Sequence, residues 1–142
     1  SYRSQTIGKA VSNRSLNTSL VDTNVRRIED DREQLEPAKR SILIVEDDPL
    51  FAKILSDLAK ELNFQYLLAS SSEDACQLAA RYLPSAIVLD IGLPDNTGLT
   101  VLDRLKHDVN TRHIPIHVVS ALDYAETALS YGAVGYMLKP VR

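Results

Sequence analysis

Apolar residues in this chain come in short unbroken runs. Ile42-Leu43-Ile44-Val45, Ala86-Ile87-Val88-Leu89 and Gly135-Tyr136-Met137-Leu138 are the clearest, and residues 65–69 and 115–119 have the same character. Runs without polar alternation mark strands covered on both faces, as in a parallel sheet between helix layers. Between them the apolar period lengthens. Asp48 is placed to cap a helix with Pro49 at its first position. Phe51, Ile54, Leu55, Leu58 and Leu62 then recur at three- and four-residue spacing, which predicts one buried stripe. A second helix is expected from Ser71 or Ser72 through Tyr82, buried through Ala75, Leu78 and Ala79. A third follows the loop 92–96 and is buried through Leu99, Leu102 and Leu105. A fourth covers residues 123–131 and ends at Gly132. Strands are thus predicted at 42–45, 65–69, 86–89, 115–119 and 134–138. Their alternation with helices and right-handed crossovers predicts an α/β fold with a doubly wound parallel five-stranded sheet.

The pattern changes near Arg40. Residues 1–40 are rich in Ser and Asn and read as an N-terminal connector or flexible lead, with the globular domain at 41–142. A weak helical pattern over residues 18–36 places Leu20, Val21, Val25, Ile28 and Leu35 among acids and arginines, and Pro37 stops it. After the last strand only Pro140, Val141 and Arg142 remain, so a final helix is expected to be absent from the chain. The expectation is that residues within 18–36 pack over the face this leaves bare, beside 134–138 and the first helix.

The 142 residues allow one domain with a substantial core. Hydrophobic residues at 44%, charged residues at 25% and a net charge of −3 describe a soluble globular chain without the basic surface that nucleic acid or an anionic membrane would require. Cys76 is the single cysteine, so no internal disulfide forms, and a cytoplasmic location is expected. No apolar stretch is long enough to span a bilayer.

Chemistry gathers at the ends of the apolar runs. Glu46-Asp47-Asp48 follows the first, Asp90 ends the third, and Lys139 closes the last. In a parallel sheet those ends share one edge, where open α/β sheets bind ligands. Several acids and one lysine there describe a site for a divalent cation and a phosphoryl group. Crowded acids should also raise one another's proton affinity.

In that order and at those separations, ILIVEDDP, IVLDIGLPDNTG, VVSA and GYMLKP resemble the receiver domain of bacterial response regulators, over residues 41–142. The resemblance implies a flavodoxin-like strand order 2-1-3-4-5. It implies that Asp90 is the phosphoacceptor, taking a phosphoryl group from a phosphohistidine. Glu46, Asp47, Asp90 and the Gly92 backbone carbonyl would hold Mg2+, with Glu46 acting through water. Lys139 would pair with a phosphoryl oxygen, Ser120 would offer it a hydroxyl, and Tyr136 would be the switch aromatic. Pro140 would follow Lys139 through a cis peptide. The implied partners are a sensor histidine kinase or a histidine phosphotransfer domain. Nucleic acid and membrane contacts are not expected through this chain, and a homodimer is compatible with it. The connector-like lead suits a receiver behind the core of a hybrid histidine kinase, with a stand-alone receiver as the alternative context.

Taken singly, each residue has a plainer reading. Glu46-Asp47-Asp48 suits a helix start, Asp90 a turn, Lys139 a solvated surface and Tyr136 a core. His107, His113 and His117 lack metal spacing, and Cys76 reads as a small helix hydrophobe. It is the four motifs together that the plain readings leave unexplained. Thr97 stands where the family commonly has Asp, and Gly92 leaves no side chain two residues after Asp90, which bears on phosphoaspartate lifetime. The same Gly92 argues against an aspartate-nucleophile phosphatase, which needs a second acid there. Acids after the first strand argue against a flavin phosphate loop. A degenerate receiver serving only protein contacts would not need the intact acids and lysine.

Overall fold

The computed structural model of the chain describes residues 30–92 and 98–139. Five parallel strands form one sheet: β1 (Ser41–Val45), β2 (Gln65–Ala69), β3 (Ala86–Asp90), β4 (Ile116–Ser120) and β5 (Gly135–Leu138). Their order, β2-β1-β3-β4-β5, is the doubly wound 2-1-3-4-5 arrangement expected from the motifs. Helices α1 (Pro49–Glu61), α2 (Ser72–Tyr82), α3 (Gly98–His107) and α4 (Ala125–Ser130) connect them.

Alternate residues of each strand supply the two faces. Leu43, Val45, Leu67, Ile87, Leu89, Ile116 and Val118 join Ala75, Leu78, Ala79, Val101, Leu102 and Leu105 in one core between the sheet, α2 and α3. Ile44 and Tyr66 point to the other face and meet Ala59 of α1. The Asp48 carboxylate caps α1 by accepting from the Leu50 N–H, with Pro49 in its first turn, and the Ser71 hydroxyl caps α2. Gly132 sits at φ 105°, a backbone setting that favours glycine, and closes the turn after α4.

Several boundaries differ from the sequence pattern. β3 runs on to include Asp90, β4 starts one residue later and ends on Ser120, and β5 begins at Gly135. α4 begins only at Ala125, because the Asp123 carboxylate accepts from the Ala125 N–H in a turn ahead of it. His113 and His117 lie exposed, as does His107.

The apolar stripe of α1 is not all buried. Phe51 and Ala59 are buried and Leu55 is half-buried, whereas Ile54 is 52% and Leu58 48% exposed, and Leu50 and Leu62 are also exposed. The residues 51, 55 and 59 recur every four and face the sheet; 50, 54, 58 and 62 form the adjacent row and stay exposed.

The N-terminal segment goes elsewhere than expected. Its described part, residues 30–39, forms turns rather than a helix. It lies along β2, the sheet edge opposite β5, and not over the face beside β5 and α1. The Asp31 N–H donates to the Tyr66 carbonyl and the Asp30 carboxylate accepts from the Leu68 N–H. The Gln65 side-chain amide donates to the carbonyls of Glu36 and Lys39. An edge strand offers unpaired backbone groups, and these outbid an apolar face for a segment rich in acids. Leu35 alone reaches the main core. Residues 18–29, with the rest of the proposed stripe, lie outside the described residues.

Asp30 is clamped there. Burial works to raise its proton affinity, but bonds from the Arg32 guanidinium and the amides of Leu68 and Arg32 outweigh it and hold the carboxyl below its ordinary range.

Gly98 opens α3 against the loop that leaves β3. A Cβ on Gly98 would lie 2.3 Å from Ile91 Cα, a backbone atom with no room to yield. Gly98→Ala should therefore cost about 1–3 kcal/mol of stability, as overpacking does, read as a lower midpoint in urea. An unchanged midpoint would show that this turn is looser than the contact implies.

Candidate phosphoacceptor site

β1, β3 and β5 end at one edge and deliver Glu46, Asp90 and Lys139 to a common point. The Lys139 ammonium lies 2.9 Å from Glu46 Oε2 and 3.1 Å from Asp90 Oδ2. Glu46 is 5% and Asp90 2% exposed. Asp47 is exposed beside them, and one carboxylate oxygen from each of Glu46, Asp47 and Asp90 lies within 4.8 Å of the others. The Lys139 ammonium also sits over the face of the Phe51 ring, with Nζ 5.0 Å from its centre. That contact was not legible in the sequence, where Phe51 read only as core.

Burial sets the electrostatics. Desolvation pushes the Glu46 carboxyl up to about 7, helped by the nearby Asp90 charge and opposed by Lys139 and the Asp48 amide. Lys139 is held above its ordinary value, because the two carboxylates outweigh the burial that would lower it. Glu46 Oε2 is taken by Lys139 and the Asp48 N–H, while Oε1 is buried without a hydrogen-bond partner. A buried, unpaired carboxylate oxygen is costly unless something else meets it. Three carboxylates against one ammonium leave two formal negative charges, the charge of one divalent cation. The donor set is all hard oxygen, so Glu46, Asp47 and Asp90 fit such an ion.

The other expected residues are nearby. Asp90 Oδ1 accepts from the Gly92 N–H at 2.9 Å, and a Cβ at Gly92 would lie 3.4 Å from that oxygen. Ser120 is buried at the end of β4, its Oγ accepting from the Leu122 N–H at 3.1 Å, and its carbonyl accepts from the Lys139 N–H. Tyr136 is half-buried on β5; its hydroxyl donates to the Leu122 carbonyl and accepts from the Tyr124 N–H. The Lys139–Pro140 peptide and residues 93–97, including Thr97, lie outside the described residues. A groove of ≈ 450 Å³ runs from Glu46 and Asp47 between α1 and β2, lined by Lys53, Lys60, Tyr66 and Ser70. It was not anticipated, because it depends on how α1 tilts against the sheet edge.

The raised Glu46 value has a defined sign. Its folded pKa lies above the ordinary 4.5, so the protonated form is favoured on folding and ionisation costs stability as pH rises from about 4.5 to about 7. Without metal, Glu46→Gln should flatten the stability–pH curve in that window and gain on the parent above pH 7, by the order of 3 kcal/mol. Parallel urea-midpoint curves for the two proteins would rule this out.

Comparison with known proteins agrees with this geometry. The family model of the response regulator receiver domain matches residues 42–142. The polar-differentiation response regulator DivK of Brucella ovis is 34% identical over 105 residues, covering 72% of this chain and 85% of DivK. Among solved structures, the N-terminal domain of a response regulator receiver protein from Methanoculleus marisnigri superposes with a TM-score of 0.65 at 29% identity, covering 71% of this chain and 85% of that one. The receiver domain of a sensor histidine kinase from Pseudomonas aeruginosa, determined with magnesium coordinated in its active-site cleft, gives 0.65 at 26%, covering 73% and 88%. With its strand order, its acid–lysine edge and its relatives in agreement, the chain belongs to the response regulator receiver family.

Proposed function

We propose that this receiver takes a phosphoryl group from a phosphohistidine onto Asp90 and thereby alters the surface formed by the β4–α4 loop, α4 and β5. The observation that carries the reading is the shared Lys139 ammonium between Glu46 and Asp90, at the mouth where β1, β3 and β5 end. In the transfer a carboxylate oxygen of Asp90 forms a bond to phosphorus, the phosphorus–nitrogen bond to the donor imidazole breaks, and the imidazole leaves with the electron pair and is protonated by solvent. Glu46, Asp47 and Asp90 would hold Mg2+, with the Gly92 carbonyl as a backbone ligand. Such an ion would offset the repulsion between these acids and the incoming phosphoryl oxygens. Lys139 turns from Asp90 toward a phosphoryl oxygen, with the Phe51 ring beside its ammonium. With no side chain at Gly92, that position offers nothing to shield a phosphoryl group on Asp90 from attacking water.

The readout follows from Ser120 and Tyr136. The Ser120 hydroxyl is engaged with the Leu122 amide, and Tyr136 with the Leu122 carbonyl and the Tyr124 amide. Drawing Ser120 toward a phosphoryl oxygen frees Leu122 and loosens the tether of Tyr136. One loop thus carries both events, which supports coupling between acceptor and surface. The donor is a sensor histidine kinase or a histidine phosphotransfer domain, and the receiver's place within a hybrid kinase fits the chain ahead of Ser41. No helix among the described residues is long and apolar enough to cross a membrane.

Acetyl phosphate with magnesium should add one base-labile phosphoryl group, seen by intact-mass spectrometry, and Asp90→Asn should abolish it while keeping the fold. An equal adduct on the variant would reject Asp90 as the acceptor. Magnesium alone should raise the melting temperature by mass action, and Asp47→Ala should diminish the shift. No shift at saturating metal would remove the cation from the proposal.

A further inference from the structure

The β2 edge is closed by three consecutive residues. Within β2 the Gln65 N–H and the Ala69 carbonyl bond inward, to the Arg40 carbonyl and the Glu46 N–H. Tyr66 and Leu68 therefore point their backbone groups outward, and each of those groups is met. Tyr66 N–H donates to Asp31 Oδ2 at 2.9 Å and its carbonyl accepts from the Asp31 N–H at 2.9 Å. Leu68 N–H donates to Asp30 Oδ2 at 2.8 Å and its carbonyl accepts from Arg32 Nη2 at 3.1 Å. The same guanidinium pairs with Asp30 at 2.8 Å, and the Asp30 side chain is only 1% exposed. Asp30-Asp31-Arg32 thus does the work of a sixth strand with side chains in place of most of its backbone.

The strand it covers has no protection of its own. Exposed edges ordinarily carry Lys, Pro or a bulge that discourages pairing, but Gln65-Tyr66-Leu67-Leu68-Ala69 has no charge and no proline. It is also self-complementary. An antiparallel copy placed about a two-fold axis through Leu67 sets Tyr66 opposite Leu68, and each such pair can exchange both N–H···O bonds. An uncapped edge of this kind accepts another extended strand.

We propose that Asp30, Asp31 and Arg32 form a built-in lock on the β2 edge, which competes with pairing of that edge to a second copy of this chain. Whatever draws on residues 1–29 can then act on association by lifting the lock, at the sheet edge opposite the Tyr136 surface.

The test uses the whole chain with Asp30→Ala, Asp31→Ala and Arg32→Ala combined, followed by hydrogen exchange at single amides and by sedimentation velocity. Leu43 and Leu89 amides, inside the sheet, report whether the variant is folded. At low protein concentration the Tyr66 and Leu68 amides should exchange at least about tenfold faster than in the parent. On raising the concentration a dimer should appear and the protection of those two amides should return. Unchanged exchange in the folded variant would overturn the proposal. So would a variant that stays monomeric throughout, or a dimer in which both amides still exchange fast. If the triple variant does not fold, the parent chain decides: Tyr66 and Leu68 amides exchanging freely beside a protected Leu43 would show that no lock forms.

Discussion

The structure depends on two buried carboxylates sharing one ammonium. Glu46 and Asp90 sit almost wholly out of water, a position that an acid tolerates only when a cation or hydrogen bonds replace its hydration. Lys139 supplies that cation to both, and it arrives from β5, across the sheet from β1. The bond between acids and lysine therefore spans β1, β3, β4 and β5, four of the five strands, and ties the last strand to the first. Among the described residues Glu46 Oε1 has no hydrogen-bond partner, and three carboxylates face one ammonium. Polarity that the fold does not finish satisfying is what a cation and a phosphoryl group can complete.

The same logic of unsatisfied polar groups explains where the N-terminal segment lies. An apolar row on α1, with Ile54 and Leu58, is exposed, yet residues 30–39 run along the β2 edge. Nonspecific burial would have favoured α1. The outward N–H and C=O groups of Tyr66 and Leu68 offer directional bonds that Asp30, Asp31 and Arg32 are built to meet, and such bonds to charged groups are worth more than neutral ones. One sheet edge is closed by charge and hydrogen bonding, while the first helix keeps an apolar row exposed.

In the proposed reading, Ser120, Leu122 and Tyr136 form the short path between the acceptor and the surface. Ser120 and Tyr136 are each engaged through backbone groups of the loop that holds Leu122. Rearranging those bonds is the change that the proposed switch would require.

Much of this was written in the sequence. Unbroken apolar runs determined the parallel strands, and Asp48-Pro49 and Ser71 determined where two helices start, because capping and strand burial are local matters of residue type and spacing. The acids after β1, Asp90 and Lys139 were legible as one site because parallel strands bring their ends to a common edge. Other features were decided only by tertiary structure. Which row of α1 is buried depends on the angle at which the helix meets the sheet, so Ile54 and Leu58 could not be told from Phe51 by periodicity alone. The placement of Asp30-Asp31-Arg32 on Tyr66 and Leu68 joins residues more than thirty apart and rests on which strand the fold leaves at the edge. The aromatic support of Lys139 by Phe51, the orphaned Glu46 oxygen and its raised pKa likewise arise from burial at the meeting of three strands, and no single segment of the chain contains that information.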